Sequence, residues 1–355
     1  MSNIIDKPLT CGLELEISAY SSTAQRIIRS NGWERHYDAS VLLDDGRPVH
    51  TVDNELGGEI TTTPQLVTVN CTQDGNNFQL GHSQYQLNDR VADLINCSAA
   101  GGVNRSCGLH LHIGRPSKDD NFRSEWEPER VRAWLAICCG LEPSIFGVVP
   151  EHRRQNEYCS KIGTHFTMSE LRSYYPTGTV RARKSENPKR RCWINLIETR
   201  RQSPTSPSLH NGPALGTVEI RLFGGPETRY IPYTQAWVNF WLHVGGLCAY
   251  VPSTLAIMHC LFSNSLKDEL HSLKNLLVRA TTFAEEEEAQ KLGRRPSRGC
   301  SRLADAETPV EPQGRTRRRA PVDATTLQPQ ENQTPSDWVI NYDSSVSPTV
   351  SPRRP

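Results

Sequence analysis

The sequence predicts an α+β protein with a mainly antiparallel sheet and flanking helices. Three observations carry that prediction. Three short segments alternate apolar and ionisable residues with a period of two, as strands with one core face do. Longer segments repeat apolar residues at helical spacing. Strands and helices are interspersed without regular βαβ units, which argues against a parallel sheet.

Taken in order, Cys11–Ala19 alternates as a strand, and Gly57–Thr62 is a second short strand after a Gly/Asp-rich loop. In Ser83–Cys97 the residues Leu87, Val91 and Leu94 stand four and three apart and predict an amphipathic helix. Leu109–Gly114 reads as a strand. Glu127–Leu141 reads as a helix with Pro128 in its first turn. Pro143 is expected to close it, because the residue before a proline disfavours helical backbone. Thr167-Met168-Ser169-Glu170 is a capping box opening a short helix. Thr217–Phe223 is a further strand, and Thr234–Leu292 is helical with a break near Pro252.

A chain of 355 residues is one large domain or two small ones. From Lys291 the composition turns to Pro, Ser, Thr, Gln and Arg, including Arg317-Arg318-Arg319, with no sustained periodicity. Residues 1–290 are therefore expected to form one folded domain and 291–355 a disordered tail. The net charge of +1 gives no field favouring nucleic acid or an anionic membrane. The most apolar stretch, Thr234–Val251, carries Gln235, Asn239 and His243, which argues against a membrane span. The first residues lack a basic segment followed by an apolar one, so no signal peptide is expected. Eleven cysteines, an odd number with none in a CxxC pair, read as reduced thiols of a cytoplasmic protein.

The strands carry the chemistry. Gly12-Leu13-Glu14-Leu15-Glu16-Ile17 places two carboxylates on one face, Gly108-Leu109-His110-Leu111-His112-Ile113 two imidazoles, and Thr217-Val218-Glu219-Ile220-Arg221-Leu222 a carboxylate and a guanidinium. Gly58-Glu59-Ile60 adds a further carboxylate. A merely solvated face would mix in Thr, Ser, Lys and Gln, whereas crowded carboxylates repel one another unless cations intervene. Carboxylates with imidazoles and no thiolate suit Mg²⁺ or Mn²⁺; an open Zn²⁺ site on two His and one Glu would not need the remaining carboxylates. Alternation puts Cys107 on the face opposite the histidines. Arg221 suits a phosphate, or else it pairs with Glu219 on the sheet surface, where such a bridge contributes about 0–1 kcal/mol. No Walker A sequence, GxGxxG fingerprint or kinase catalytic loop is present, so if a nucleotide binds here its phosphates must be held by metal ions and arginines rather than by a Gly-rich loop.

The segments CGLELEI, GGEITTTP, CGLHLHIG and GTVEIRLFGG resemble, in this order, those of the amidoligase family, a branch of the carboxylate–amine ligase superfamily related to glutamine synthetase. Weaker matches lie at WERHYDASV, where Ala39 replaces a family glycine, at PEHRRQNEYC and at RCWINL. The resemblance implies a curved antiparallel sheet of the glutamine-synthetase type and an ATP-dependent ligase. It implies metal ligation by Glu14, Glu16, Glu59, His110 and Glu219. Arg221 and His112 would contact nucleotide phosphates or the transferred phosphoryl group. Arg153 and Arg154, matching paired arginines, would bind phosphate or a substrate carboxylate, Arg153 in catalysis and Arg154 on the nucleotide; both also read as surface charges. Asn195 reads as structural.

The implied reaction transfers the ATP γ-phosphate to a carboxylate, giving an acyl phosphate that an amine or ammonia displaces to form an amide. Its partners are small-molecule or peptide carboxylates and amines, with Mg²⁺ or Mn²⁺ and ATP. Asp38 and Glu55 are candidates for the base that deprotonates the amine. Two rival readings are a metal-dependent hydrolase using His110 and His112, and a non-catalytic binding protein on a ligase-derived fold. The sequence does not fix the oligomeric state.

Overall fold

The structure is a computed structural model and describes residues 3–36, 40–43, 46–49, 57–74, 77–80, 86–87, 89–97, 102–116, 126–165, 191–196, 216–250 and 264–293. These all lie in one compact unit, Met1–Cys300. The architecture is mixed: helices on an open, antiparallel sheet.

The strands are β1 (Asn3–Ile17), β2 (Glu34–His36), β3 (Gly58–Thr61), β4 (Gln65–Asp74), β5 (Asn77–Leu80), β6 (Gly108–Gly114), β7 (Ile194–Asn195) and β8 (Val218–Gly224). The sheet runs β2-β3-β1-β6-β8-β7. β1 is the central strand and is longer than its alternation suggests. Its first half pairs with β4, which pairs on with β5, and its second half lies between β3 and β6. On one face Leu13, Leu15, Leu109, Leu111, Val218 and Ile220 are buried in a single core.

Helices Pro128–Gly147 and Ile231–Tyr250 cover that core face. The second can approach closely because Gly245 has no side chain: a Cβ there would stand 3.0 Å from Ile113 Cγ2 and 3.4 Å from Leu9 Cδ1. Trp134, Trp193, Trp237 and Trp241 are fully buried between helix and sheet, the Trp193 and Trp241 rings 5.6 Å apart. Helix Asn264–Lys291 is fastened to Ile231–Tyr250 by His243 Nδ1 at 2.7 Å from Glu269 Oε1.

Two sequence expectations are corrected, and one element is new. Pro143 does not close its helix, which runs on to Gly147. An interior proline costs about 3 kcal/mol. That is offset because Ile145 and Phe146 beyond it are buried, and burying such side chains contributes about 1.5–3 kcal/mol each. The same turn is pinned by Glu142, which accepts hydrogen bonds from Ile162 N (2.7 Å) and Trp193 Nε1 (2.8 Å). The helix expected from Ser83 runs instead over Asp89–Cys97, because the Leu87 N–H bonds to the Gln235 side chain. Helix Ser22–Asn31 was not anticipated, yet Ser21 caps it by accepting from Ala24 N and Gly32 closes it at φ 62°. The capping box at Thr167–Glu170 lies outside the described residues.

Candidate active site

The strand registers set the polar face out in rows. Glu16 stands opposite Glu59. Glu14 stands opposite His110. His112 stands between Gly12 and Glu219, and Glu219 in turn stands opposite Asn195 at the sheet edge. Directly opposed side chains have Cβ atoms about 5 Å apart, so these groups meet by register alone. Glu14 Oε2 is 2.8 Å from His112 Nε2, and Glu14 Oε1 is 3.1 Å from His110 Nδ1. His110 Nδ1 is also 3.3 Å from Glu219 Oε1, and its Nε2 is 3.6 Å from Glu16 Oε1. Glu59 acts on the Glu14 carboxyl as well, which brings the fourth acidic side chain into the group.

Several supports were not signalled as such by the sequence. Asn195, fully buried, donates to Glu219 Oε2 at 2.6 Å. Thr217 Oγ1 lies 3.0 Å from His112 Nδ1. The Gly108 N–H donates to Glu16 Oε2, and Ser40 Oγ is 3.4 Å from Glu16 Oε1. Thr217 flanks the third polar pair in sequence, which is the one signal that would have found it.

Burial opposes ionisation throughout, and the neighbours reverse it. Burial would raise the Glu14 carboxyl, but the charge of His110 and bonds from both imidazoles hold it well below the usual carboxylate range. Burial works likewise on Glu219, which Arg221 and then His110 pull far down. Burial would lower both imidazoles; Glu14 above all raises His110 well above its ordinary value, and Glu14 and Glu219 raise His112. Glu14 and Glu219 are thus held ionised by the imidazoles and the guanidinium beside them.

Arg221 Nε is 3.1 Å from Glu219 Oε1, and the two side chains are 15% and 5% exposed. The pair is therefore largely buried rather than on the sheet surface, and breaking a buried pair by removing one partner costs about 3–5 kcal/mol. Alternation sets Arg221 on the face of Glu219, and an irregularity sets its register against β6. Leu109 pairs with Phe223 but Leu111 pairs with Ile220, so Arg221 and Leu222 together oppose His110 in a β-bulge. Leu222 and Phe223 both enter the core in consequence.

The paired arginines part company. Arg153 is 2% exposed, and its guanidinium donates to Arg221 O (2.7 Å), Leu222 O (3.4 Å) and Cys159 Sγ (2.9 Å). Contact with a phosphate would compete with partners already in place. Arg154 is exposed, donates to Val149 O at 2.9 Å, and does not line the cleft beside the site. That cleft, of about 240 Å³, has Glu16, His110, Arg153, Arg221 and Cys159 on its walls and Ser40, Asn156 and Tyr158 among its other lining residues. Cys107 belongs to neither the site nor the main core. It precedes β6, so strand alternation does not govern it, and it packs with Val41 and Val49 in a small separate cluster. Burial pushes its thiol up to about 12, which makes it a poor nucleophile. Asp38 and Glu55 lie outside the described residues.

Glu14, His112 and Glu219 offer ligand atoms within 4.8 Å of one another. Oxygen and imidazole donors without thiolate fit Mg²⁺ or Mn²⁺. No helix among the described residues is long and apolar enough to cross a membrane. No protein-family model, curated protein or solved structure matches this chain.

Proposed function

We propose that this protein is an ATP-dependent carboxylate–amine ligase on a glutamine-synthetase-like sheet, forming an amide through an acyl phosphate. The observation that carries the reading is the ligand group Glu14–His112–Glu219 with a largely buried arginine, Arg221, ion-paired with one of its carboxylates. The family resemblance of the four strand motifs supplies the reaction class. Glu14, His112 and Glu219 would hold Mg²⁺ or Mn²⁺, and Glu16 and Glu59 lie within the same polar face. When bound, the ion neutralises negative charge on the nucleotide phosphates.

The chain's own residues do the rest. His110, between Glu14 and Glu219, orients both carboxylates. Arg221 directs a guanidinium at the charge that grows on the transferred phosphoryl group, a task of positioning and electrostatics. A substrate carboxylate oxygen attacks the γ-phosphorus and ADP leaves. The amine nitrogen, having lost its proton, then attacks the acyl carbon and inorganic phosphate leaves. The adjoining cleft is smaller than the roughly 300–1,000 Å³ of pockets for drug-sized ligands, which suits a compact acyl or amine substrate. The hydrolase rival needs both imidazoles on one ion, whereas the ligand group contains His112 and not His110.

The test is phosphate release from MgATP by the purified protein across a panel of amino acids and small peptides. Hydroxylamine serves as the trap, since it converts an acyl phosphate to a hydroxamate. Hydroxamate that requires both ATP and a particular carboxylate supports the reading, and Glu219→Gln should abolish it. Phosphate release from substrates without ATP would favour the hydrolase. Unchanged biological activity after alanine replacement of Glu14, Glu16 or Glu219 would favour a non-catalytic binding protein.

A further inference from the structure

The residue that reaches Arg221 from outside the sheet is Arg153. It sits on the short helix Glu151–Arg154, which packs against β8, and its side chain runs beneath the bulge. One guanidinium serves two successive carbonyls, those of Arg221 and Leu222, and these are the residues that jointly oppose His110. Cys159, on the next turn, adds its thiol to the same Arg221 carbonyl at 3.1 Å. From the other side the Arg221 N–H donates to Trp193 O at 2.8 Å. A buried cation is costly unless hydrogen bonds satisfy it, and a fork of several donors meets that requirement where a single ammonium does not. Nothing else on β8 is held this way: Val218, Glu219 and Ile220 keep the regular register with their neighbours.

We propose that Arg153 is a positioning residue whose guanidinium, clamping the carbonyls of Arg221 and Leu222, holds the β8 bulge and through it the position of the Arg221 side chain against Glu219 and His110. Without the clamp the bulge loosens toward regular pairing, which keeps Arg221 on the face of Glu219 but sets it squarely opposite His110 and turns Phe223 out of the core, because a one-residue slip exchanges the faces beyond it. Arg221 would then shift against Glu219 and His110, although no atom of the site itself had been changed. For turnover, this inference rests on the ligase reading; for the placement of Arg221 it does not.

The test uses Arg153→Met, which removes the clamp, and Arg153→Lys, which keeps the charge but gathers its donors on one nitrogen and lacks the fork that spans both carbonyls. The first measurement is the Arg221 side-chain Nε–H resonance by NMR, assigned by its loss in Arg221→Lys. In the wild type the buried pair should protect it from exchange; in either folded Arg153 variant it should shift and exchange fast. The second is the split of kcat and KM for ATP-dependent turnover. Misplacing Arg221 by about 1 Å should cost about 10²-fold in kcat, with the larger effect on kcat than on KM. The Arg153→Lys/Arg221→Lys double variant should be no slower than the slower single variant, since both changes remove the same contact. An unmoved Arg221 resonance in Arg153→Lys, or losses that multiply in the double variant, would overturn the proposal. If the wild type shows no ATP-dependent turnover, the ligase reading fails while the resonance still decides the role of Arg153.

Discussion

Two glycines occupy matching places in the motifs CGLELEI and CGLHLHIG, and the structure predicts opposite consequences for replacing them with alanine. A Cβ on Gly108 would lie 2.7 Å from Glu16 Oε2, 2.9 Å from His110 Nε2 and 3.2 Å from Arg153 Nη2. The first two distances are too short for contact, so the carboxylate and the imidazole must move, and Glu16 strains its bond from the Gly108 N–H. A Cβ on Gly12 would meet only His112 Cβ at 3.8 Å and Pro64 Cγ at 4.0 Å, which is ordinary contact. Neither glycine has a left-handed backbone, so conformation does not enter the comparison. Overpacking at Gly108 should cost about 1–3 kcal/mol. Gly12→Ala should stay within about 0.5 kcal/mol of the wild type. Displacing groups that surround a metal site typically costs about 10- to 100-fold in affinity, and Gly108→Ala should show that loss for Mn²⁺. Urea denaturation and Mn²⁺ titration calorimetry read both quantities. Equal behaviour of the two variants in both assays would refute the placement of Glu16 and His110 around Gly108.

Asn195→Ala removes the donor to Glu219 Oε2 and leaves a buried carboxylate oxygen without that partner, which should destabilise the fold by about 1–3 kcal/mol in urea denaturation. An Asn195→Ala variant as stable as the wild type would show that this bond is not made. His152 makes an acid-side prediction: its Nε2 is buried without a hydrogen-bond partner, and burial, with Arg153 and Arg105, lowers it from 6.5 to about 4. The neutral form is the folded form, so its contribution is fully present above pH 6.5 and is lost as the pH falls through about 4. His152→Gln should therefore flatten the fall in Tm between these pH values, and parallel curves for variant and wild type would exclude the effect.

Strand chemistry was legible where a period of two suffices. Glu14, Glu16, His110, His112 and Glu219 alternate with residues of the core, and facing one another follows from that alternation once the strands pair. What a single strand cannot reveal is its register, so the sequence offered no reason to place Asn195 on Glu219 or Glu59 on Glu14. The bulge at Arg221 left only a faint trace, the consecutive apolar Leu222-Phe223 that ends the alternation, and the partner strand is needed to show two residues opposing one. Other losses were of signals present but unread. β4 contains the alternating Val67-Thr68-Val69, and the first unexpected helix has a serine cap, buried Ala24, Ile27 and Ile28, and a closing glycine. Arg153 is the instructive case. A basic residue in a short polar segment suggests a surface charge or an anion ligand, and only the backbone carbonyls it meets give it a third role.

The last prediction concerns protons. Crowding carboxylates under cover requires compensating charge, and in the absence of an ion the imidazoles provide it. His112 Nε2 lies 2.8 Å from Glu14 Oε2, a hydrogen bond that needs a proton on that nitrogen. A nitrogen carrying a proton cannot also donate a lone pair to a metal. If Glu14, His112 and Glu219 share an ion, His112 must either surrender that proton or turn its other nitrogen away from Thr217. Thr217 can rotate its hydroxyl to suit either tautomer, so the first course disturbs the structure less. Binding should accordingly release a proton, and Mn²⁺ affinity should rise with pH across the range in which His112 holds it. Titration calorimetry in two buffers of different ionisation enthalpy measures that release directly. His112→Gln removes the titrating ligand and should abolish the buffer dependence. Mn²⁺ binding with no proton released, or a release that persists in His112→Gln, would exclude His112 Nε2 from the coordination sphere and with it the ligand group on which the functional reading stands.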